Sequence, residues 1–340
     1  MSKKNKSIRV KLIANPAAGN PAELTKNLKL VTSYLKKTGL IADVAFAKPK
    51  EEATPIARQA IKDGYKVVIA MGGDGTLEAV MRGMVGSKVG LGIVPTGTEN
   101  NIARSLGIPL GLQEACDLIA SGKTLKLDLG QVKTSKGKKF VFFEMATVGL
   151  AASIYPDAVK VASGKLSRIK AAVSTFIHQE TSPIVFLTLN DESKIELETM
   201  LVMVSNTPGF GKNFVVSPSA SLQDGLLDIS VYPGFSKAEL FAYYAAVMDG
   251  GYSGDRKVQH YQVAKLKVKT SPKVDVMADG VALGKGTVTI KVLPKALRVF
   301  AVKQSPVPES VNDNSTKTLS VPVPAAVEDD HKEESVILLG

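Results

Sequence analysis

The sequence predicts an α/β plus β protein: a parallel α/β domain over residues 1–125, a mainly antiparallel β-sandwich domain over 126–303, and a disordered acidic tail over 304–340. Three observations predict it. Up to about residue 120, short apolar runs alternate with stretches of helical period, the rhythm of a parallel sheet with helices on both faces. From about residue 125, strand-length runs follow one another through short turns, as in a sandwich. After Gln304, prolines, serines, valines and acidic residues follow without apolar periodicity, so nothing there builds a core.

The first domain reads in order. "IRVKLIANP" is a strand, and "PAELTKNLKLVTSYLKKTG" puts Leu24, Leu28, Val31 and Leu35 on one helical face before Gly39 stops it. "LIADVAFA" is a strand, "EEATPIARQAIKDG" a helix, and "YKVVIAMGG" a buried strand. A helix over Glu78–Met84, the strand "VGLGIVP" and the helix "GLQEACDLIASGK" complete the series. In the second domain, strands run from "LKLDLGQVKT" to "ALRVFAV", punctuated by Lys-Gly, Asn-Asp and Asp-Gly pairs. Two helical inserts interrupt them, "DAVKVASGKLSRIKAAVSTFIHQ" and "SKAELFAYYAAVMDGG".

Composition narrows the function classes. The single cysteine, Cys116, rules out an intrachain disulfide and makes a cytoplasmic location the expectation. The N-terminus lacks the apolar core of a signal peptide, and no run approaches the roughly 20 apolar residues of a membrane span. Seven acidic and two basic residues stand from 304 onward, so the preceding body carries +16 against +11 for the whole chain. Such a body favours nucleotides, nucleic acid or an anionic membrane surface, and charge alone is equally well explained by solubility.

Two glycine-bearing loops carry the chemistry. Gly72, Gly73, Asp74, Gly75 and Thr76 follow a buried strand; glycine lacks a Cβ, so backbone N–H groups there can approach phosphate oxygens closely. The following helix would aim its N-terminus at the same anion. Asp74 is the odd member, and fits if it meets the cation or ribose end of a nucleotide or orders the loop. Taken alone, the segment reads equally well as a turn. "VPTGTENNIARSLGIP" then follows the next strand, landing beside the first loop with Thr96, Gly97, Thr98, Asn100 and Asn101 as polar donors and Arg104 as a phosphate fork. Two such loops on adjacent strands favour a nucleotide cleft over turns.

"NPAAGN", "GGDGT" and "PTGTENNIARSLGIP", in that order, resemble the diacylglycerol kinase catalytic domain family, which includes soluble bacterial lipid kinases and the sphingosine and ceramide kinases. The resemblance runs to about residue 302, through "SPSASLQDGLLDISV" and "MADG", and implies a first domain like those of phosphofructokinases and NAD kinases. It further implies ATP held by Asn15, Gly72, Gly73, Asp74, Gly75, Thr76, Leu77, Glu78, Thr98 and Asn100. It implies Mg²⁺ held by Asp224 and the carbonyls of Ser221 and Leu226, hard oxygen donors that suit that ion. A turn explains Asp224-Gly225 equally well without the family. Asp74, Asp128 and Asp279 are the implied catalytic aspartates.

The chain departs from the family where a base should stand. The family's Asp-Gly-Glu reads Asp279-Gly280-Val281 here, and valine accepts no proton. Either Asp279 or Asp128 takes the proton, or the chain is a weak or inactive member. Glu78 replaces a common asparagine, Asn101 a frequent aspartate, and Lys48 a threonine that touches nucleotide.

Other features are discounted. "GVALGKG" is one residue short of a Walker A loop, and His178, His260 and His331 are too scattered for zinc. The expected function is an ATP- and Mg²⁺-dependent lipid kinase working on diacylglycerol or a related lipid at an anionic membrane surface, with no nucleic-acid partner. A homodimer is compatible with the sequence. The alternatives are a binding protein without turnover and an NAD kinase-like enzyme; the latter is opposed by the absence of an Asn-Glu pair downstream of "GGDGT".

Overall fold

The computed structural model describes residues 7–16, 23–47, 52–150, 182–210, 214–248, 257–302 and 319–320. The helical insert expected at 157–179, Lys48, and the tail apart from 319–320 lie outside these residues. The chain forms two compact units. One holds the described residues up to Leu127 together with 295–302, and the other holds Asp128–Pro294 with 319–320.

The first unit contains β1 (Ile8–Ala14), α1 (Leu24–Lys37), β2 (Leu40–Phe46), α2 (Ala53–Lys62), β3 (Val67–Gly72), α3 (Asp74–Met84), β4 (Gly90–Pro95), α4 (Asn101–Ser105) and α5 (Leu112–Ala120). Its strands are parallel in the order β2-β1-β3-β4. Helices on both faces require strands that are apolar on both sides, and β3 and β4 are buried along their whole length. Val31 and Leu35 of α1 and Cys116 and Ile119 of α5 pack with Val10, Leu12 and Ile69 of the sheet. Burial pushes the Cys116 thiol up to about 12, so it serves as core rather than as a nucleophile. The glycine stop expected after α1 is there, with Gly39 at φ +85°.

The remaining elements are β5 (Thr124–Thr134), β6 (Lys139–Phe142), β7 (Met145–Gly149), β8 (Ile184–Leu189), β9 (Ser193–Ser205), β10 (Gly209–Phe210), β11 (Phe214–Val215), β12 (Leu227–Pro233), α6 (Lys237–Met248), β13 (Gln259–Val263), β14 (Lys265–Ser271), β15 (Asp275–Ala278), β16 (Val281–Lys285), β17 (Val288–Phe300) and β18 (Leu319–Ser320). The chain passes from one unit to the other within β5 and again within β17. The end of β17 runs parallel to β4, pairing Arg298 with Gly90 and Val299 with Leu91. Phe300 lies over Gly90, where a Cβ would stand 2.6 Å from its ring. Strand-like spacing alone does not reveal this return to the first unit.

In the second unit the strands form two largely antiparallel layers. One runs β6-β5-β17-β14-β8-β9. The other runs β16-β15-β7-β9-β12-β13, with β18 parallel along β13. Thirteen-residue β9 serves both, pairing with β8 through Glu198 and with β12 from Thr199. Alternate residues of the two layers, among them Val132, Leu187, Val204, Ile229, Val268 and Ile290, form one core. Helix α6 is set by a capping box: Ser236 Oγ accepts from the Glu239 N–H, and Glu239 Oε2 accepts from the Ser236 N–H. It buries Leu240, Tyr243 and Val247 against Met203 and Tyr232.

Candidate functional site

In the first unit, β3 and β4 pair in register from Val67 to Gly72, so the loops that follow them leave the same end of the sheet. They touch. A Cβ on Gly97 would run into the Cα of Gly73, and one on Gly73 would stand 3.1 Å from the Cα of Gly97. Glycine at 97 is what lets the backbones meet, and at 73 a Cβ would be tight. The Thr96 N–H donates to the Gly72 carbonyl at 3.0 Å, extending the pairing into the loops.

Helix α3 begins at Asp74, four residues earlier than the helix expected at Glu78. The sequence "DGT" is therefore the helix's first turn, with Gly73 as an extended N-cap residue. Glycine in a helix interior is unfavourable by propensity, which is why the segment reads as loop. Asp74 Oδ1 accepts the Ile102 N–H at 3.0 Å, at the start of α4. Asp74 thus fastens the first loop to the second.

The residues expected at the nucleotide fall into two groups. Gly73, Asp74, Gly75 and Glu78 are half-buried, and Thr98 is exposed. Gly72, Thr76, Leu77, Asn15 and Asn100 are buried. Asn15 Nδ2 donates to Thr76 Oγ1 at 2.9 Å, tying β1 to α3. Asn100 sits at φ +54° and closes the second loop on itself: its Oδ1 accepts from Gly97 N–H and its Nδ2 donates to the Gly97 carbonyl, both at 2.9 Å. Glu78 pairs with Arg82 one turn on at 3.5 Å, and Arg104 Nε donates to the Glu99 carbonyl. The buried group shapes the loops, while the accessible group could meet an anion.

The second unit gathers the other expected residues around two aspartates. Asp128, 1% exposed on β5, donates its N–H to the Leu222 carbonyl and accepts the Gly225 N–H on Oδ2, both at 2.7 Å. It thereby holds the whole Ser221–Leu226 turn. Asp224 Oδ1 accepts the Leu226 N–H at 3.0 Å, and the Ser221 hydroxyl accepts the Gln223 N–H. Burial raises the Asp224 carboxyl, eased by the Leu226 N–H and pushed further by the charge of Asp128. Asp279, at φ +41° and 8% exposed, binds three backbone amides: Phe143 at 2.6 Å on Oδ2, and Glu144 and Met145 at 3.1 and 3.2 Å on Oδ1. Its carboxylate anchors the bend between β6 and β7.

Sequence reading missed two residues of this cluster. Asn206 Nδ2 donates to the carbonyls of Asp128 at 3.1 Å and Phe143 at 2.7 Å, linking the surroundings of both aspartates. Asp228, 5% exposed, accepts from Ser219 Oγ and Gln262 Nε2 on Oδ1, while its buried Oδ2 has no hydrogen-bond partner among the described residues. Burial pushes its carboxyl up to about 6, eased by Ser219 and raised by Asp224. A polar residue inside an otherwise apolar strand, as in "LLDISV", was the available signal.

The implied Mg²⁺ set is compatible with this chemistry. Among the described residues, no group of three or more His, Cys, Asp or Glu side chains could hold a metal ion. The expected set uses one carboxylate and two main-chain carbonyls. Asp224 lies in the field of two further carboxylates, which a divalent cation would relieve. Among the described residues, no helix is long and apolar enough to cross a membrane.

Residues 9–132 match the Diacylglycerol kinase catalytic domain, and residues 142–301 the YegS C-terminal NAD kinase beta sandwich-like domain. The chain is 31% identical over 273 residues to "Probable lipid kinase YegS-like" of Pseudomonas aeruginosa, covering 75% of this chain and 83% of that one. It is 26% identical over 300 residues to "Diacylglycerol kinase" of Mycobacterium tuberculosis, covering 86% and 94%. Its fold is shared with a crystal structure of a diacylglycerol kinase from Bacillus anthracis, at TM-score 0.65, 22% identity and coverage of 88% and 98%. Yeast NADH kinase complexed with NADH shares the fold more loosely, at TM-score 0.52, 12% identity and coverage of 93% and 91%. With both domain types in order and a relative above 30% identity spanning most of each chain, the protein belongs to the diacylglycerol kinase catalytic-domain family of lipid kinases.

Proposed function

We propose that the protein transfers the γ-phosphoryl group of ATP to a hydroxyl of a membrane lipid, diacylglycerol or a close relative, in the cytoplasm at an anionic membrane surface. The observation that carries this reading is the backbone contact between Gly73 and Gly97. It brings two short loops together at the N-terminus of α3, where half-buried Gly73, Asp74 and Gly75 offer amides and a helix dipole to phosphate oxygens. Thr98 would add a hydroxyl, and Asp74 would keep the second loop in register. Phosphoryl transfer depends mainly on such positioning and on charge neutralisation. Asp224 with the Ser221 and Leu226 carbonyls would hold Mg²⁺, which when bound neutralises phosphate charge.

One observation favours a second reading, a nucleotide- or lipid-binding protein without turnover. Both oxygens of Asp279 are engaged by backbone amides, and Val281 has no proton acceptor. One assay separates the readings: labelled ATP with Mg²⁺ against diacylglycerol, sphingosine, ceramide, phosphatidylglycerol and NAD. The kinase reading expects a labelled lipid phosphate that disappears in Asp74→Ala. Wild-type turnover in that variant removes the mechanism. ATP binding by calorimetry with no product from any acceptor establishes the second reading.

A further inference from the structure

In the second unit, the outer face of the β6-β5-β17-β14 layer carries a concentration of charge that the proposed chemistry does not use. Strand alternation sends Val132, Ile290, Leu266 and Val268 into the core and leaves their neighbours facing outward. Those neighbours enclose a hollow of about 440 Å³ lined by Lys133, Lys139, Lys265, Lys267 and Lys291, with Asp191 as its one acidic residue. Gln131 and Thr289 add uncharged hydrogen-bonding groups. Asp191 pairs with Lys265 at 2.7 Å. Among the described residues, no carboxylate is within ion-pair distance of the other four lysines.

The register makes this face costly to build. Lys133 stands directly across from Lys139, and Lys265 directly across from Lys291. Like charges opposite one another weaken a sheet, and here the arrangement occurs twice around one hollow. A partner of opposite charge turns that repulsion into attraction. No aromatic ring lines the hollow, so nothing there stacks a nucleic-acid base. The positive surface also extends past the hollow, to Lys269 on β14 and, across Thr188, to Lys194 on β9. Six strands at about 4.8 Å spacing span roughly 24 Å, far more than a free phosphate covers. At its far edge Ile184 is 43% exposed, and Lys269 lies over the Phe186 ring at 5.6 Å. Glu196 and Glu198, opposite Phe186 and Ile184, bound the basic area.

We propose that this face is the surface on which the protein lies against an anionic phospholipid bilayer, the lysine-lined hollow receiving a headgroup phosphate. Ammonium groups suit that ligand, acting as point charges that require no bidentate geometry. The inference rests on the membrane part of the reading above and is independent of turnover, because binding is measured without ATP.

The test is co-sedimentation of the full chain with vesicles of phosphatidylcholine alone or containing 30 mol% phosphatidylglycerol (roughly the anionic fraction that gives a strong surface potential). Wild type binds the anionic vesicles only, and added salt releases it. Each lysine near such a surface is worth roughly five-fold in partitioning, so Lys267→Gln/Lys291→Gln weakens binding about 25-fold. Lys267→Arg/Lys291→Arg keeps the charge and the binding, and circular dichroism checks that both variants fold. Lys26→Gln/Lys29→Gln, which removes the same charge from exposed positions on α1, leaves binding unchanged. Equal loss from the α1 variant, or none from the sheet variant, overturns the proposal while leaving the membrane reading intact. A wild type that ignores anionic vesicles overturns both, and so does one that binds only soluble tripolyphosphate.

Discussion

Asp74 in the first unit and Asp279 in the second each precede a glycine, and each accepts backbone N–H groups from a distant segment. The resemblance is confined to that. Asp74 takes one amide, from Ile102, and remains half-buried at the start of a helix. Asp279 takes three, at positive φ, and is almost fully enclosed. The same dipeptide thus makes an accessible tie between two loops in one place and a closed clamp in the other. The segment that arrives from across the fold decides which, and no local pattern encodes that segment.

The clamp is the first place to test the distinction. In Asp279→Ala, three buried amides lose their acceptor, and alanine must hold a backbone at φ +41°. The expected loss of stability is on the order of 4 kcal/mol by urea unfolding, with Asp279→Asn losing distinctly less. A near-normal unfolding midpoint with abolished turnover would instead make Asp279 a participant in the chemistry.

Asp228 extends the contrast through pH. Its carboxyl, held at about 6 by burial, titrates above the ordinary carboxylate value of 3.8, so the fold favours the protonated form. That contribution to stability is complete below about pH 4 and is lost as the pH rises through about 6. Asparagine imitates the protonated acid and can still accept from Ser219 and Gln262. Asp228→Asn, measured in chelator, should therefore match wild type near pH 4 and exceed it by about 3 kcal/mol at pH 8. A pH-independent difference would mean that Asp228 is ionised throughout.

The first unit was far more legible than the second, for a physical reason. Its strands are buried on both faces, so "YKVVIAMGG" and "VGLGIVP" identify themselves, and parallel order brings their following loops to one end. The glycines at 73 and 97 follow from that adjacency. Gly75 in the first turn hides the start of α3 from its pattern, and the end of β17 carries no local mark of its pairing with β4. In the second unit Asp128, Asp224 and Asp279 were identifiable only by family resemblance. Their partners lie 97 residues away for Asp128 and Gly225, and 136 for Asp279 and Phe143. Asn206 lacks even that guide, and Asp228 lies inside "SPSASLQDGLLDISV" without being singled out by it.

The contact between the loops allows a direct test of the more legible half. Gly97→Ala places a methyl group against the Gly73 backbone, which has no side chain that can yield. The two loops must separate, and a displacement near 1 Å at a positioning site costs roughly a hundred-fold in rate. Turnover should fall by that order and ATP affinity by calorimetry should fall with it, while the forced separation costs about 1–3 kcal/mol of stability by urea unfolding. Unaltered affinity would detach these loops from nucleotide binding.

The smallest expected effect concerns the missing base. Val281 opens β16 two residues after Asp279 and is 36% exposed, so Val281→Glu should shift stability by no more than about 0.5 kcal/mol. If proton removal from the lipid alcohol limits the reaction, the new carboxylate should raise turnover roughly ten-fold, below the hundred-fold or more of a fully positioned general base. Val281→Gln is the necessary companion: it has the same length and polarity but accepts no proton in this pH range. A gain in the glutamate variant alone identifies proton transfer as the missing function. An equal gain in both traces it to side-chain shape, and no gain in either moves the base to Asp128 or to another arrangement.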